Sequence, residues 1–279
     1  MKLDLHCHST VSDGALAPAE LVRRAAARGV RVLALTDHDE LGGLAEARAA
    51  ADAANIAFID GVEISVTWRG GTVHIVGLHV DAQHAGLAAG LESLRAGRLR
   101  RARDIAESLA AAGIEAALEG ALRHARNPSL IGRTHFARYL AEIGVVTGTR
   151  GAFKRYLTPG RPGYVQHRWA VLADAVGWIV AAGGAAVIAH PGRYGLSDAA
   201  MKELIDEFRA AGGSAIETVC GSHSVGQTRE FSALAAHCGL AVSCGSDFHA
   251  PEEGAELGSL PAPDAGARTV WADWPLPRG

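Results

Sequence analysis

The sequence predicts an α/β fold, a parallel sheet whose strands alternate with covering helices, closed as a barrel or left open. Short apolar runs recur along much of the chain, and amphipathic helical stretches separate them. The runs are nearly continuous in apolar residues, as strands buried on both faces require.

Taken in order, "KLDLHCH" reads as the first strand, and "PAELVRRAAARG" as a helix that Gly29 stops. "VRVLALTDH" is a second strand and "GLAEARAAADAAN" a second helix; "AFIDGVEIS" and "GTVHIVGLHV" follow as two further strands. Residues 85–165 break the rhythm. They are helix-rich and strand-poor, and open on the arginine-laden "LESLRAGRLRRARDIAESLAAAGI". This stretch reads as a helical insertion, a lid or substrate domain, dividing one barrel domain into residues 1–84 and 166–279. The alternation then resumes with "WAVLADAVGWIVAAGG" (helix), "AAVIAHP" (strand), "SDAAMKELIDEFRAAGG" (helix) and "AIETVCG" (strand). "SVGQTREFSALAAHCG" is a last long helix and "LAVSCGSDFH" a last strong strand, while the Pro/Gly-rich stretch after Pro251 is expected to wrap the surface.

Composition narrows the function classes. A net charge of -3 over 279 residues gives no global attraction to nucleic acid or acidic membranes. No run approaches the roughly 20 apolar residues that span a bilayer. "MKLDLHC" shows no apolar signal region, and the four cysteines form no CxxC pair. A cytoplasmic protein with free thiols is the expectation.

Polar residues at the strand ends carry the chemistry. Residues two apart on a strand share a face, so His6 and His8 can reach one ion, whereas Cys7 points away from them. Alone, such a pair is equally at home as solvated or satisfied core histidines. The second strand, however, ends on His38 flanked by Asp37 and Asp39. Glu63 and His74 lie on the next two, His190 ends "AVIAH", and Asp247 and His249 repeat the one-residue spacing. Six of the thirteen histidines sit at strand ends, the positions where parallel α/β folds build their sites.

"LDLHCHSTVSDGAL", "LALTDHDELGG", "GVEIS", "VIAHPGR" and "CGSDFHA" resemble the successive motifs of the PHP (polymerase and histidinol phosphatase) family, in order. The resemblance implies a distorted (β/α)7 TIM-like barrel with three divalent metal ions in its mouth. It also implies their ligands: His6, His8, Glu63 and Asp247 for one ion, Glu63 bridging to a second held by His74 and His190, and Asp13, His38 and His249 for a third. Within the family, the chain most resembles a bacterial group acting on nucleoside 3',5'-bisphosphates or on short RNA.

Mixed imidazole and carboxylate ligands suit Mn, with Fe or Zn as alternatives, over Ca or Mg. The expected reaction is attack of a metal hydroxide on phosphorus, without a protein nucleophile. Phosphate also needs cationic donors. Arg133 and His135 in "LIGRTHFARYL", Lys154 and Arg155 in "FKRYL", and Arg193 in "HPGRYG" are the candidates. His135 has a second reading, as a metal ligand in competition with His190. The leading expectation is a phosphatase giving a 5'-nucleotide from a nucleoside 3',5'-bisphosphate. The alternatives are a 5'-3' exoribonuclease on short oligonucleotides, a histidinol phosphatase, and a non-catalytic metal-binding module. No long duplex and no membrane is expected as a partner.

Overall fold

The computed structural model describes residues 1–276. Seven strands follow one another around a single sheet in chain order: β1 (Leu3–Asp4), β2 (Val32–Leu35), β3 (Ala57–Trp68), β4 (Gly71–Leu78), β5 (Ala185–Ile188), β6 (Ala215–Cys220) and β7 (Ala241–Gly245). The first and last strands then meet. Leu5 N–H donates to Cys244 O at 3.1 Å, Asp247 N–H donates to His6 O at 2.8 Å, and Cys7 bridges Phe248. The sheet is therefore a nearly closed, distorted barrel.

One strand departs from the expected parallel pattern: β4 runs antiparallel to both β3 and β5. The reason is local. Only Arg69 and Gly70 separate β3 from β4, and both adopt left-handed backbone, with φ of 48° and 79°. Two such residues make a tight hairpin, whereas a parallel return needs a crossover of a dozen residues or more.

Ten helices complete the described residues: α1 (Pro18–Ala27), α2 (Leu44–Ala54), α3 (Ala85–Arg95), α4 (Arg98–Ala111), α5 (Ala117–His124), α6 (Arg133–Glu142), α7 (Gly148–Ala152), α8 (Leu172–Ala181), α9 (Asp198–Ala210) and α10 (Val225–Cys238). Their ends follow ordinary capping chemistry. Pro18 opens α1; a reciprocal Ser224–Gln227 capping box opens α10, which Gly239 closes at φ 66°. Leu21, Val22 and Ala25 of α1 pack with Leu33 and Leu35 of β2 on one side of the barrel. On the other side, Leu87, Leu91 and Leu94 of α3 join Val176 and Ile179 of α8 in the main cluster. Residues between Ala102 and Leu157 form a cluster of their own, centred on Ile105, Leu109, Phe136 and Leu140.

Inside the barrel, the lower half is apolar: Leu5, Val32, Ala34, Ile59, Val76, Leu78, Val187, Ala189, Ala215 and Ala241. The chain after Pro251 does more than wrap the surface. Val270, Trp271, Trp274 and Leu276 pack against that interior and cover the barrel base, and Val270 N–H donates to Val242 O at 3.0 Å. The apolar interior and its aromatic cover leave the opposite end, the mouth, for polar side chains.

Candidate metal centre

Strand alternation sends every second residue inward. His74 shares the inward face with Val76, and Glu217 shares it with Ala215, so the apolar interior gives way to polar groups at the mouth. All nine residues singled out as ligands gather there, in four overlapping groups whose ligand atoms lie within 4.8 Å of one another. The groups are His8, Asp13, His38 and His249; His6, Glu63 and His190; His6, His8 and Asp247; and His38, Glu63 and His74. His38 belongs to two of these groups, and His190 falls with His6 and Glu63.

Glu63 is the hub. Its Oε1 lies 2.9 Å from His74 Nδ1 and 2.9 Å from His190 Nε2. Its Oε2 lies 2.9 Å from His38 Nδ1 and 3.3 Å from Nε2 of both His6 and His8. Five imidazoles thus surround one buried carboxylate.

The donor set fits divalent cations. His6 Nε2, both ring nitrogens of His8, Asp13 Oδ1 and Glu63 Oε2 are buried without hydrogen-bond partners among the described residues. Each such atom costs about 1–3 kcal/mol if left uncompensated. A fold that converges several of them is satisfied by a cation accepting their lone pairs. Charge states divide: burial opposes the charged form at His6, His38 and His249, but neighbouring carboxylates outweigh it and raise their pKa values, so a cation has to displace those protons. Burial holds His8 and His74 neutral, lowering their pKa values to about 3 and about 4, so their lone pairs are free. Burial opposes ionisation of Glu63, but His38, His74 and His6 outweigh it and hold the carboxyl well below its usual range. Arg193 does the same for Asp247 against the same opposition.

Supporting residues lie just behind. Asp37 accepts from Ser9 N–H at 2.8 Å, Ser9 Oγ at 2.6 Å and Ser12 Oγ at 2.5 Å, fixing the turn that delivers Asp13. Tyr194 Oη accepts from His74 N–H at 2.9 Å and donates to Ala189 O at 2.7 Å, tying β4 to the end of β5. Glu217, only 1% exposed, was not among the expected site residues. Its Oε1 lies 2.7 Å from His6 Nδ1 and its Oε2 accepts from His190 N–H at 2.6 Å. Its one sequence signal is its place as the sole charge in the apolar strand "AIETVC".

The candidate phosphate contacts divide. Arg193 Nη2 stands 2.6 Å from Asp247 Oδ2, at the centre itself. His135, 1% exposed, accepts from Gly132 N–H at 3.0 Å through Nδ1 and joins none of the four groups. Burial lowers its pKa to about 4. Arg133 donates to Leu157 O at 3.2 Å and shares a cluster with Arg98 and Arg101. Arg98 pairs with Asp39, but Arg101, 6% exposed, has no carboxylate partner among the described residues. Burial, then Arg133 and Arg98, push the Arg101 pKa down to about 9. Arg101 and Arg98 were missed, although they share a helical stripe with the buried Ala102, Ile105 and Leu109. Lys154 and Arg155 are exposed on the insertion, Arg155 donating to Val145 O at 3.0 Å, and neither meets the nine.

The comparisons with known proteins agree with this geometry. The PHP domain family matches residues 4–217. A 3',5'-nucleoside bisphosphate phosphatase from Chromobacterium violaceum is 56% identical over 252 residues, covering 90% of this chain and 88% of that protein. The 5'-3' exoribonuclease Rnm of Escherichia coli is 41% identical over 277 residues, covering 99% and 94%. A solved structure from Chromobacterium violaceum, described as an amidohydrolase with bound sulfate and no metal, is similar with a TM-score of 0.95 and 54% identity, covering 97% and 95%. A metal-dependent phosphoesterase structure from Bifidobacterium adolescentis has a TM-score of 0.80 at 26% identity, covering 96% and 92%. With that match and those relatives, the chain belongs to the PHP domain family.

Proposed function

We propose that this protein is a metal-dependent phosphoesterase that removes the 3'-phosphate of nucleoside 3',5'-bisphosphates to leave a 5'-nucleotide. The observation that carries the reading is the Glu63 hub, with six imidazoles and two further carboxylates converging on one space. His6, His8, Asp13, His38, Glu63, His74, His190, Asp247 and His249 would hold up to three divalent ions, with manganese the preferred metal. Bound divalent ions supply Lewis acidity toward the phosphoryl oxygens and toward water.

The remaining work falls to the chain's own residues. Arg193, already beside Asp247, faces the scissile phosphate. Arg101 and Arg133 are the second-phosphate donors: a buried guanidinium with no carboxylate partner is relieved by a bound anion, and the fork matches phosphate oxygens. His135, held neutral by burial, adds a donor near Asp13. The α4–α7 cluster closes over the mouth and keeps bulk water away from the reacting phosphate.

A second substrate, the 5' end of a short RNA, is supported by the 41% identical exoribonuclease and by exposed Arg100, Arg103, Lys154 and Arg155 on the insertion. Among the described residues no helix is long and apolar enough to cross a membrane; a cytoplasmic setting is part of the proposal. The test is a substrate panel with manganese-loaded protein: nucleoside 3',5'-bisphosphates, 5'-monophosphates, histidinol phosphate and short RNA. Release of the 3'-phosphate is the expected result, and turnover of histidinol phosphate alone overturns the substrate assignment. Unchanged hydrolysis in chelator overturns the metal-dependent reading.

A further inference from the structure

Glu217 touches two of the proposed ligands from outside the ligand set. Its two oxygens serve different strands. Oε1 meets the side chain of His6 at 2.7 Å, and Oε2 accepts the backbone N–H of His190 at 2.6 Å. His190 needs such an anchor, because it holds a left-handed backbone at φ 29° that costs a non-glycine residue about 1–3 kcal/mol. Both oxygens are committed, and Glu217 belongs to none of the four ligand groups. Each oxygen is directed at a partner that carries or positions a ligand.

We propose that Glu217 is a positioning residue that fixes the His6 imidazole with its proton on Nδ1 and Nε2 bare, while clamping the His190 turn at the same time. The inference rests on the metal reading above. A carboxylate on Nδ1 leaves Nε2 as the free lone pair and raises its basicity toward a cation. His6 Nε2 is the atom that stands 3.3 Å from Glu63 Oε2 and 3.5 Å from Asp247 Oδ1, with no hydrogen-bond partner of its own. Glu217 therefore couples the ligand end of β1 to the ligand end of β5. The same turn is braced from the other side, where Gly192 N–H donates to His223 Nε2 at 3.2 Å.

Glu217→Gln separates this role from simple space filling. The amide has the same shape but one acceptor oxygen: with that oxygen on His190 N–H it turns an NH2 donor toward His6 Nδ1, which then has to carry its proton on Nε2. Manganese binding to the metal-stripped proteins, measured by equilibrium dialysis with elemental analysis, is expected to weaken about 10- to 100-fold in the variant. Equal affinity in the two proteins overturns the proposal. A wild type that binds no manganese overturns the metal reading itself, so the two failures are told apart. Should the variant not fold, the wild type carries the test alone. Imidazole 15N spectra of the zinc-loaded protein must place the His6 proton on Nδ1, and a proton on Nε2 overturns the proposal.

Discussion

The guanidinium of Arg138, on α6 of the insertion, donates to the backbone carbonyl of Asp13 at 2.7 Å. The same side chain pairs with Glu253 beyond β7, at 3.0 Å and 3.3 Å. One residue of α6 thereby bridges the loops that follow the first and last strands and holds the turn bearing a proposed ligand. Arg138→Met should raise KM several-fold with little change in kcat. Its pair with Glu253 is partly exposed, so stability should fall by at most about 1 kcal/mol. Steady-state kinetics and thermal unfolding check both, and an unchanged KM would rule out a role for this latch in substrate capture.

Arg98 and Asp39 form a buried ion pair between α4 and the loop after β2, with Arg98 lying 4.7 Å over the Trp169 ring. Asp39 also accepts from Ser65 N–H at 2.8 Å. Removing one partner strands the other charge, so Asp39→Asn should destabilise by about 3–5 kcal/mol. Urea unfolding measures this. A loss below about 1 kcal/mol would show that Arg98 finds water or another acceptor.

Gly245, the last residue of β7, lies against the first strand: a Cβ there would stand 2.2 Å from His6 Cβ and 2.6 Å from His6 N. No side chain fits without moving β1. Gly245→Ala should cost about 1–3 kcal/mol of stability and weaken metal binding, because His6 moves with its strand. Denaturant unfolding and manganese titration would show it, and a variant with native affinity would mean the seam is more compliant than these distances allow.

The metal-free protein should titrate through His249. Burial works against its charged form, but Asp13 and Asp247 outweigh it and raise the pKa to about 9. A folded pKa above the ordinary 6.5 contributes stability that is complete below about pH 6.5 and is lost as pH rises through 9. Chelated protein should therefore melt at progressively lower temperature between these values. Metal competes for the same imidazole, so the loaded protein should show a flatter profile. Parallel profiles with and without metal would contradict the assignment of His249 as a ligand.

Much of this architecture can be read from the chain because it obeys short-range rules. Two-residue spacing places His6 with His8, and strand ends place His38, His190 and Asp247 at one rim. Periodicity carries no direction, however, so the reversal of β4 rests on Arg69 and Gly70 alone. A single glutamate in "AIETVC" says that something polar lies inside the barrel, yet not that it faces His6 across 211 residues. Trp271 and Trp274 sit among prolines and glycines, which masks their packing against the barrel base. Arg101 reads as a solvated helix charge until tertiary structure shows that it is buried and that no carboxylate among the described residues meets it.

The reversal of β4 also decides how the helical segment α4–α7 is wired. Because that strand ends at the base, α3 must climb the outside of the barrel to bring the chain back to the mouth, where Arg95 Nη1 donates to Asp39 O at 2.7 Å. The chain returns beside its departure point: a Cβ on Gly97 would stand 2.9 Å from His167 Cε1. A segment whose two ends meet is a cassette. Its two ends leave and rejoin the barrel at one place, so a change of length within it need not alter the spacing of the strands, provided the contacts of Arg98 and Arg138 with the rim are kept.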